Sequence, residues 1–452
     1  MNAEDTIRRK QFCQIKDEIS GSDDYLVVGI DVAKDKHHAF MGSATGKSFV
    51  RKLVFENNLE GFGKLLERSE AVKTQNALSK VVFGMEPTAN YHKPLGAHLI
   101  GCGCHVVLVT GKAVKYNREL LDGRWDKNDD KDAANVADLV SRGRCLYYDY
   151  PSSSINELRQ SLSLRRRLKK EEHSVRMRIR NNLLALYFPE LDRFYSACES
   201  ETLAIVRWCL DPGRIAGMDF ESFFLMVTRS RRGIAQKRRL QKIHQLAVES
   251  VGCAMGPAAE FEAVLLVDKL KAVRGQLKQV ADQMQDICLQ FADYSYLLTI
   301  PGFGPYVAAR VLASIANPWR FDSSNQVIKM AGYDLGANRS GRSSDQAVPV
   351  ISKRGNAELR YALYQAAHVA STRNRDFFGY FTRMLRGRQR ERGIKTKMKV
   401  KLAAKMLKIV WTLMKKHEVL CLYVLERALS PKVRTYLCYY QMIRIKRLVF
   451  LH

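Results

Sequence analysis

The hydrophobic pattern of this chain changes period once, near residue 151, and that change divides it into two kinds of architecture in series. Before it, short apolar stretches alternate as strands do: YLVVGIDV at 25–32, HHAFMG at 37–42 and SFVRKLVF at 48–55, separated by short polar, glycine-containing turns. Three consecutive strands of this kind predict an antiparallel meander. A helix-period stretch, LEGFGKLLERS, follows, then a strand VVFGME at 81–86, a helix near 91–100, a strand HVVLVT at 105–110 and a helix beginning near Asp129. The order βββαβαβα is that of a ribonuclease-H-like fold, a mixed sheet with helices on both faces.

Beyond residue 151 the pattern is helical. The segment 156–188 is long and charged, with no Gly or Pro to break it until Pro189. A second long helix spans about 258–292 with Leu and Val at helical spacing, and the two are expected to pair as an antiparallel hairpin or coiled-coil arm. Between them, 190–257 is mixed and contains the basic run RSRRGIAQKRR at 229–239, which has no clear place. The stretch LLTIPGFGPYVAARVLASI at 297–315 has a Pro-Gly-x-Gly turn between two helical runs, a helix-hairpin-helix signal. Gly302 and Gly304 would let the backbone approach a phosphate, with the second helix offering its N-terminal NH groups; the plainer alternative is a tight helix–helix turn.

Charge favours the phosphate reading. The chain holds 74 Lys and Arg against 46 Asp and Glu, a net +28, and residues 321–452 alone carry 27 basic and 8 acidic side chains. A field so concentrated is expected to dock nucleic acid rather than merely aid solubility. No apolar run reaches the roughly 18 residues of a membrane span, and MNAEDTIRRK is too polar for a secretory signal, so a cytosolic protein is expected. Its 10 cysteines are irregularly spaced and are expected to be thiols. Cys102, Cys104 and His105 come nearest to a metal pattern, but strand alternation in GCGCHVVLVT would split them between faces, so buried structural cysteines are expected there.

Asp31 interrupts an apolar strand, VVGIDV, where a buried carboxylate is costly unless it is paired or holds a cation. Glu86 sits likewise at the end of VVFGME, and neighbouring strands of one sheet would bring the two together. Asp129 and Asp132, in KNDDKDAANVADL, are spaced i and i+3 and project from one face of a helix start. Four converging carboxylates repel one another unless hard cations stand between them, which predicts Mg²⁺ and two-metal phosphoryl transfer. Singly, each acid has a plainer reading: Asp129 and Asp132 as helix caps beside a solvated Asp130, Glu86 as an exposed strand end.

VGIDVAKDKH, MEPTANY, KNDDKDA, LRQSLSLRRRLKKEEHSVRMRIRNNLLAL, TIPGFGPYVAARVLASI, RFDSSNQVIKMAGY, RSG and ISKRGNAELRYALYQAA, in this order, resemble the DEDD-type transposases of the insertion-sequence family numbered one-ten, bridge-RNA-guided serine recombinases. The resemblance covers about 25–418. It implies an N-terminal extension (1–24), a RuvC-like DEDD domain (25–150) and a helical coiled-coil linker (151–295) with its 190–257 insertion. A mainly α-helical transposase domain (296–418) and a basic tail (419–452) complete the division.

The family's pattern implies that Asp31, Glu86, Asp129 and Asp132 bind Mg²⁺ and that Ser340, flanked by Arg339 and Arg342, attacks DNA to form a phosphoserine link; Ser343, Ser344 and Ser352 are competing candidates. Such a link keeps the phosphodiester energy for rejoining. Lys353, Arg354 and Arg360 are expected to hold DNA or RNA backbone near that serine, with a solvated loop as the plainer reading. The helix at 396–417 should pack an apolar face inward, Trp411 included, and turn its lysines to phosphates.

Further implications are DNA at element ends and target as substrate, a structured guide (bridge) RNA as partner, and dimers assembling into a tetramer at the nucleoid. A junction-resolving nuclease that activates water at the same acids is the alternative, and a nucleic-acid-binding protein with degenerate sites a third. Two departures from the family pattern, Ala89 for Gly and Asn128 for Thr, leave the carboxylates in register. The region 190–257 and the tail after 418 do not align with it.

Overall fold

The computed structural model describes residues 3–122, 129–196, 199–228, 233–336 and 350–417, without the side chains of 3–4, 121–122 and 129–130. The chain forms two compact units: one runs to Ser152 and adds Ala316–Ser323; the other comprises Ser153–Ile315 and the chain from Ser324 onward.

In the first unit, β1 (Tyr25–Asp31), β2 (Lys36–Ser43), β3 (Ser48–Glu56), β4 (Lys80–Met85), β5 (His105–Leu108) and β6 (Leu146–Tyr147) form one sheet in the order β3-β2-β1-β4-β5-β6. β1, β2 and β3 are the expected antiparallel meander, β4 and β5 join β1 in parallel, and β6 closes the edge antiparallel to β5. This mixed sheet agrees with a ribonuclease-H-like fold.

Helices α1 (Ala3–Glu18), α2 (Leu59–Gln75), α3 (His92–Gly101), α4 (Gly111–Asp122) and α5 (Asp129–Ser141) cover the two faces. Strand alternation sorts the two cores. Leu26, Val28, Ile30, Phe83 and Met85 pack with Phe62, Leu65, Leu95 and Leu99 of α2 and α3. Tyr25, Val27 and Val82 turn the other way, to Ile15 and Ile19 beside α1, Val114 of α4, and Val136, Ala137 and Val140 of α5. Burial on both faces is why β1 reads as an unbroken apolar run.

Two helices and a strand depart from the sequence reading. The 1–24 stretch, read as an extension, contains α1, and Ile15 and Ile19 are core residues. α4 and β6 have too few apolar residues to stand out. Cys102 caps α3 and Cys104 lies in the turn before β5, so the expectation of buried strand cysteines is corrected: Cys102 is exposed and Cys104 half-buried, its thiol pushed up to about 11 by burial. The seven described cysteines are free.

Ala316–Ser323 is fastened within the first unit by polar contacts. Asn317 donates to Asp5 and Thr6 (3.3 Å each), Arg320 pairs with Asp149 (2.9 Å) and Asp322 with Arg9 (3.1 Å).

The second unit is helical. Ser153–Arg178 lies antiparallel to Pro257–Leu289, as three ion pairs show: Arg178–Glu262 (3.0 Å), Lys269–Glu171 (3.0 Å) and Arg274–Glu172 (3.1 Å). On the longer helix the buried Leu266, Leu270, Val273, Leu277, Val280, Met284 and Ile287 alternate at four and three residues, a heptad seam. One π-helical turn, Ile179–Leu184, leads from the first helix toward Pro189. The unplaced 190–257 region folds as helices around Leu191, Tyr195, Ile205, Phe223 and Ile243, with the described part of its basic run starting the helix Ile234–Val248.

Ala292–Leu298 and Pro305–Ile315 flank the expected Pro-Gly-x-Gly turn, and Ala357–Arg373, Arg375–Leu385 and Ile394–Lys416 complete the unit. Strands do not stop at 151: β7 (Leu335–Gly336) pairs with β8 (Val350–Ile351).

α5 sits directly on the strand backbone at Gly29, where an added Cβ would overlap the Ala133 carbonyl oxygen and reach within 2.5 Å of the Ala137 nitrogen. Gly29→Ala should therefore lower stability by about 1–3 kcal/mol in urea denaturation. Gly63→Ala, in the interior of α2 with open space around it, should instead be neutral or stabilising by up to about 1 kcal/mol.

Candidate active site at the strand ends

Register brings the first two acids together. Ile30 and Met85 are partners on the parallel strands β1 and β4, so Asp31 and Glu86 occupy the next step at the same end of the sheet. Alternation gives Asp31 the direction of Val27 and Gly29, and Glu86 that of Val82 and Gly84, toward the α4 and α5 layer. The Glu86 carboxylate fills the place a Cβ on Gly111, the first residue of α4, would take. A carboxylate at a helix start is favoured by the NH groups there.

Asp132 lies in the first turn of α5, one residue before the Ala133 that rests on Gly29. Its side chain is only 4% exposed and is ion-paired with Arg118 of α4. A carboxylate so buried requires a counter-charge. Asp129 begins α5, three residues earlier, and its side chain lies outside the described residues. Among the described residues, no group of three or more His, Cys, Asp and Glu side chains is disposed to hold a metal ion. Two acids thus share a strand end, while the third is turned to an arginine. Their oxygen-only donor chemistry fits a hard divalent cation.

Of three supporting features, two escaped the sequence reading and the third was visible there only as a departure. Arg118 is one; its pairing with Asp132 spans two helices and has no local signature. The second is a polar lock in which Asn117 donates to Asn135 (2.6 Å) and Asp138 (2.7 Å), while Asn135 donates to the Val114 carbonyl (2.8 Å), tying α4 to α5. The third is Ala89, three residues after Glu86, with φ +45°. That left-handed conformation favours glycine, so the Gly-to-Ala departure noted in the sequence costs backbone strain.

Ser340, Arg339, Arg342, Ser343 and Ser344 lie outside the described residues. Ser352 is half-buried and donates to Asp334 (2.5 Å). Lys353 and Arg354 are exposed, and Lys353 has φ +55°. Arg360 is partly turned to its own fold: its guanidinium donates to the Ala331 carbonyl at 2.9 Å. Gly302, at φ +88°, is needed for close packing, since a Cβ there would overlap the Ala366 carbonyl oxygen; Gly304 faces open space. Of the two turn glycines, only Gly304 keeps a side open for phosphate. Met398, Leu402, Met406, Val410 and Leu413 form the inward face of Ile394–Lys416, and Trp411, expected in the core, is half-buried with the Lys415 ammonium 4.3 Å from its ring centre.

Comparison with known proteins gives two family matches. Residues 28–189 match a DEDD model described as Transposase, and residues 294–381 match one described as Transposase IS116/IS110/IS902 family. A Streptomyces coelicolor protein, named as a candidate mini-circle transposase for IS117, is 24% identical over 327 residues, covering 70% of this chain and 77% of its own.

Ala89→Gly should raise stability by about 1 kcal/mol, seen as a higher midpoint in thermal or urea unfolding. A fall in the midpoint would mean that the left-handed turn after Glu86 is not strained.

Proposed function

From its membership of the IS110 family of transposases, enzymes that cleave and transfer DNA strands, we propose that this chain is an RNA-guided recombinase with a DEDD metal site and a serine nucleophile. The observation that carries the metal site is the pairing of Asp31 and Glu86 one register step beyond Ile30 and Met85, on the face that α5 covers. Asp31, Glu86, Asp129 and Asp132 are the proposed ligands. A bound Mg²⁺ would supply Lewis-acid stabilisation of charge developing on the phosphoryl group.

The protein's own groups do the rest. Ser340 Oγ attacks the phosphorus of a DNA phosphodiester; one P–O bond forms as the bond to the deoxyribose oxygen breaks, and that oxygen leaves with a proton. Nothing is oxidised, and the reverse attack by a new strand end restores a phosphodiester. Exposed Lys353 and Arg354, and the excess of 27 basic over 8 acidic residues in 321–452, support a grip on nucleic-acid backbone. The remainder of the proposal is a structured RNA from the element as guide, and dimers that assemble into a tetramer in the bacterial cytoplasm. The heptad seam of Pro257–Leu289 is buried within the chain and supports a helical hairpin arm with Ser153–Arg178. Among the described residues, no helix is long and apolar enough to cross a membrane.

The test is strand cleavage on a plasmid carrying the element with its flanks, using protein purified with its RNA. Asp31→Asn should reduce Mg²⁺-dependent cleavage by roughly a thousandfold or more. Ser340→Ala should abolish a denaturant-stable protein–DNA adduct. Cleavage by Ser340→Ala at the wild-type rate with no adduct in either protein would establish the water-using nuclease instead. Copurified RNA matching DNA beside the element is expected; random host RNA alone would count against guidance.

A further inference from the structure

The Arg118–Asp132 pair holds one of the proposed metal ligands on a cation of the protein's own. It joins a carboxylate 4% exposed to an arginine side chain 18% exposed, whose Nε, like that of Arg176, Arg239 and Arg310, is buried without a hydrogen-bond partner among the described residues. Arg118 uses one arm on Asp132. It is not there by slack, because the adjacent Asn117 is bonded to Asn135 and Asp138 and fixes this turn of α4 against α5.

Asp132 is also one of the four acids read above as cation ligands, and a carboxylate oxygen satisfied by a fixed guanidinium is a poorer ligand. We infer that Arg118 is a tethered cation that competes with the divalent metal for Asp132, so that it sets the metal concentration the site demands. The inference rests on the metal reading of the four acids and goes beyond it. Arg118 acts through Asp132 as a positioning residue. A metal that takes the oxygen held by Arg118 displaces the guanidinium, which frees a positive charge beside the site for another anion, such as a DNA phosphate.

The experiment is calorimetric titration of the full chain with Mn²⁺, without DNA. Arg118→Gln should bind Mn²⁺ roughly tenfold more tightly than wild type, about 1.4 kcal/mol. Arg142→Gln removes an equal charge from the end of α5, where Arg142 pairs with Asp138 at 2.9 Å, and should bind as wild type does. Equal or weaker binding by Arg118→Gln would overturn the inference alone, as would the same tightening in Arg142→Gln, which would reduce the effect to net charge. Absence of binding in both wild type and Arg118→Gln would sink the four-acid metal site along with it. Should Arg118→Gln not fold, wild type still decides: saturating Mn²⁺ should speed amide exchange in 114–120 as Arg118 lets go, and unchanged or slower exchange would overturn the inference.

Discussion

Contact between a helix and a bare strand backbone governs the first unit. At Gly29 the strand has no side chain, so α5 comes down onto it through Ala133 and Ala137. Any side chain at 29 would hold the helix off and lift Asp132 away from the end of β1, where Asp31 stands. The residue that does no chemistry thus decides whether the acids can belong to one site. Gly84 repeats the device on β4, where a Cβ would meet Val140 at 2.5 Å, so the helix crosses both acid-bearing strands at close range.

The sheet was legible in the sequence because strands buried on both faces must be apolar throughout, and β1, β4 and β5 are. Asp31 stood out for the same reason, as a charge at the end of such a run. α1 was not legible: half of AEDTIRRKQFCQIKDE is charged, and it anchors itself through Ile15 and, just beyond its end, Ile19. α4 was hidden likewise, since Asn117 and Arg118 earn their places through partners on another helix. The Gly-to-Ala change at 89 was visible as a departure, but its strain depends on a backbone angle that sequence does not state.

The glycine of the helix-hairpin-helix turn shows where sequence reasoning about phosphate sites goes astray. A Pro-Gly-x-Gly turn reads as an opening for an anion, but Gly302 spends its freedom on the Ala366 carbonyl within the fold. Arg360 is a parallel case, a basic residue beside a candidate nucleic-acid surface whose guanidinium bonds to the Ala331 carbonyl. Types of residue suggest partners; only packing tells which of them are already taken.

The Ala316–Ser323 excursion has a bearing on how the protein is made. Asp5, Arg9 and Asp149 wait for Asn317, Asp322 and Arg320, which leave the ribosome some 170 residues after the rest of that unit has been synthesised. The nascent nuclease-like unit therefore lacks its last staples until most of the helical unit has also emerged. Translation order thereby ties its completion to the synthesis of the long helical pair that lies between.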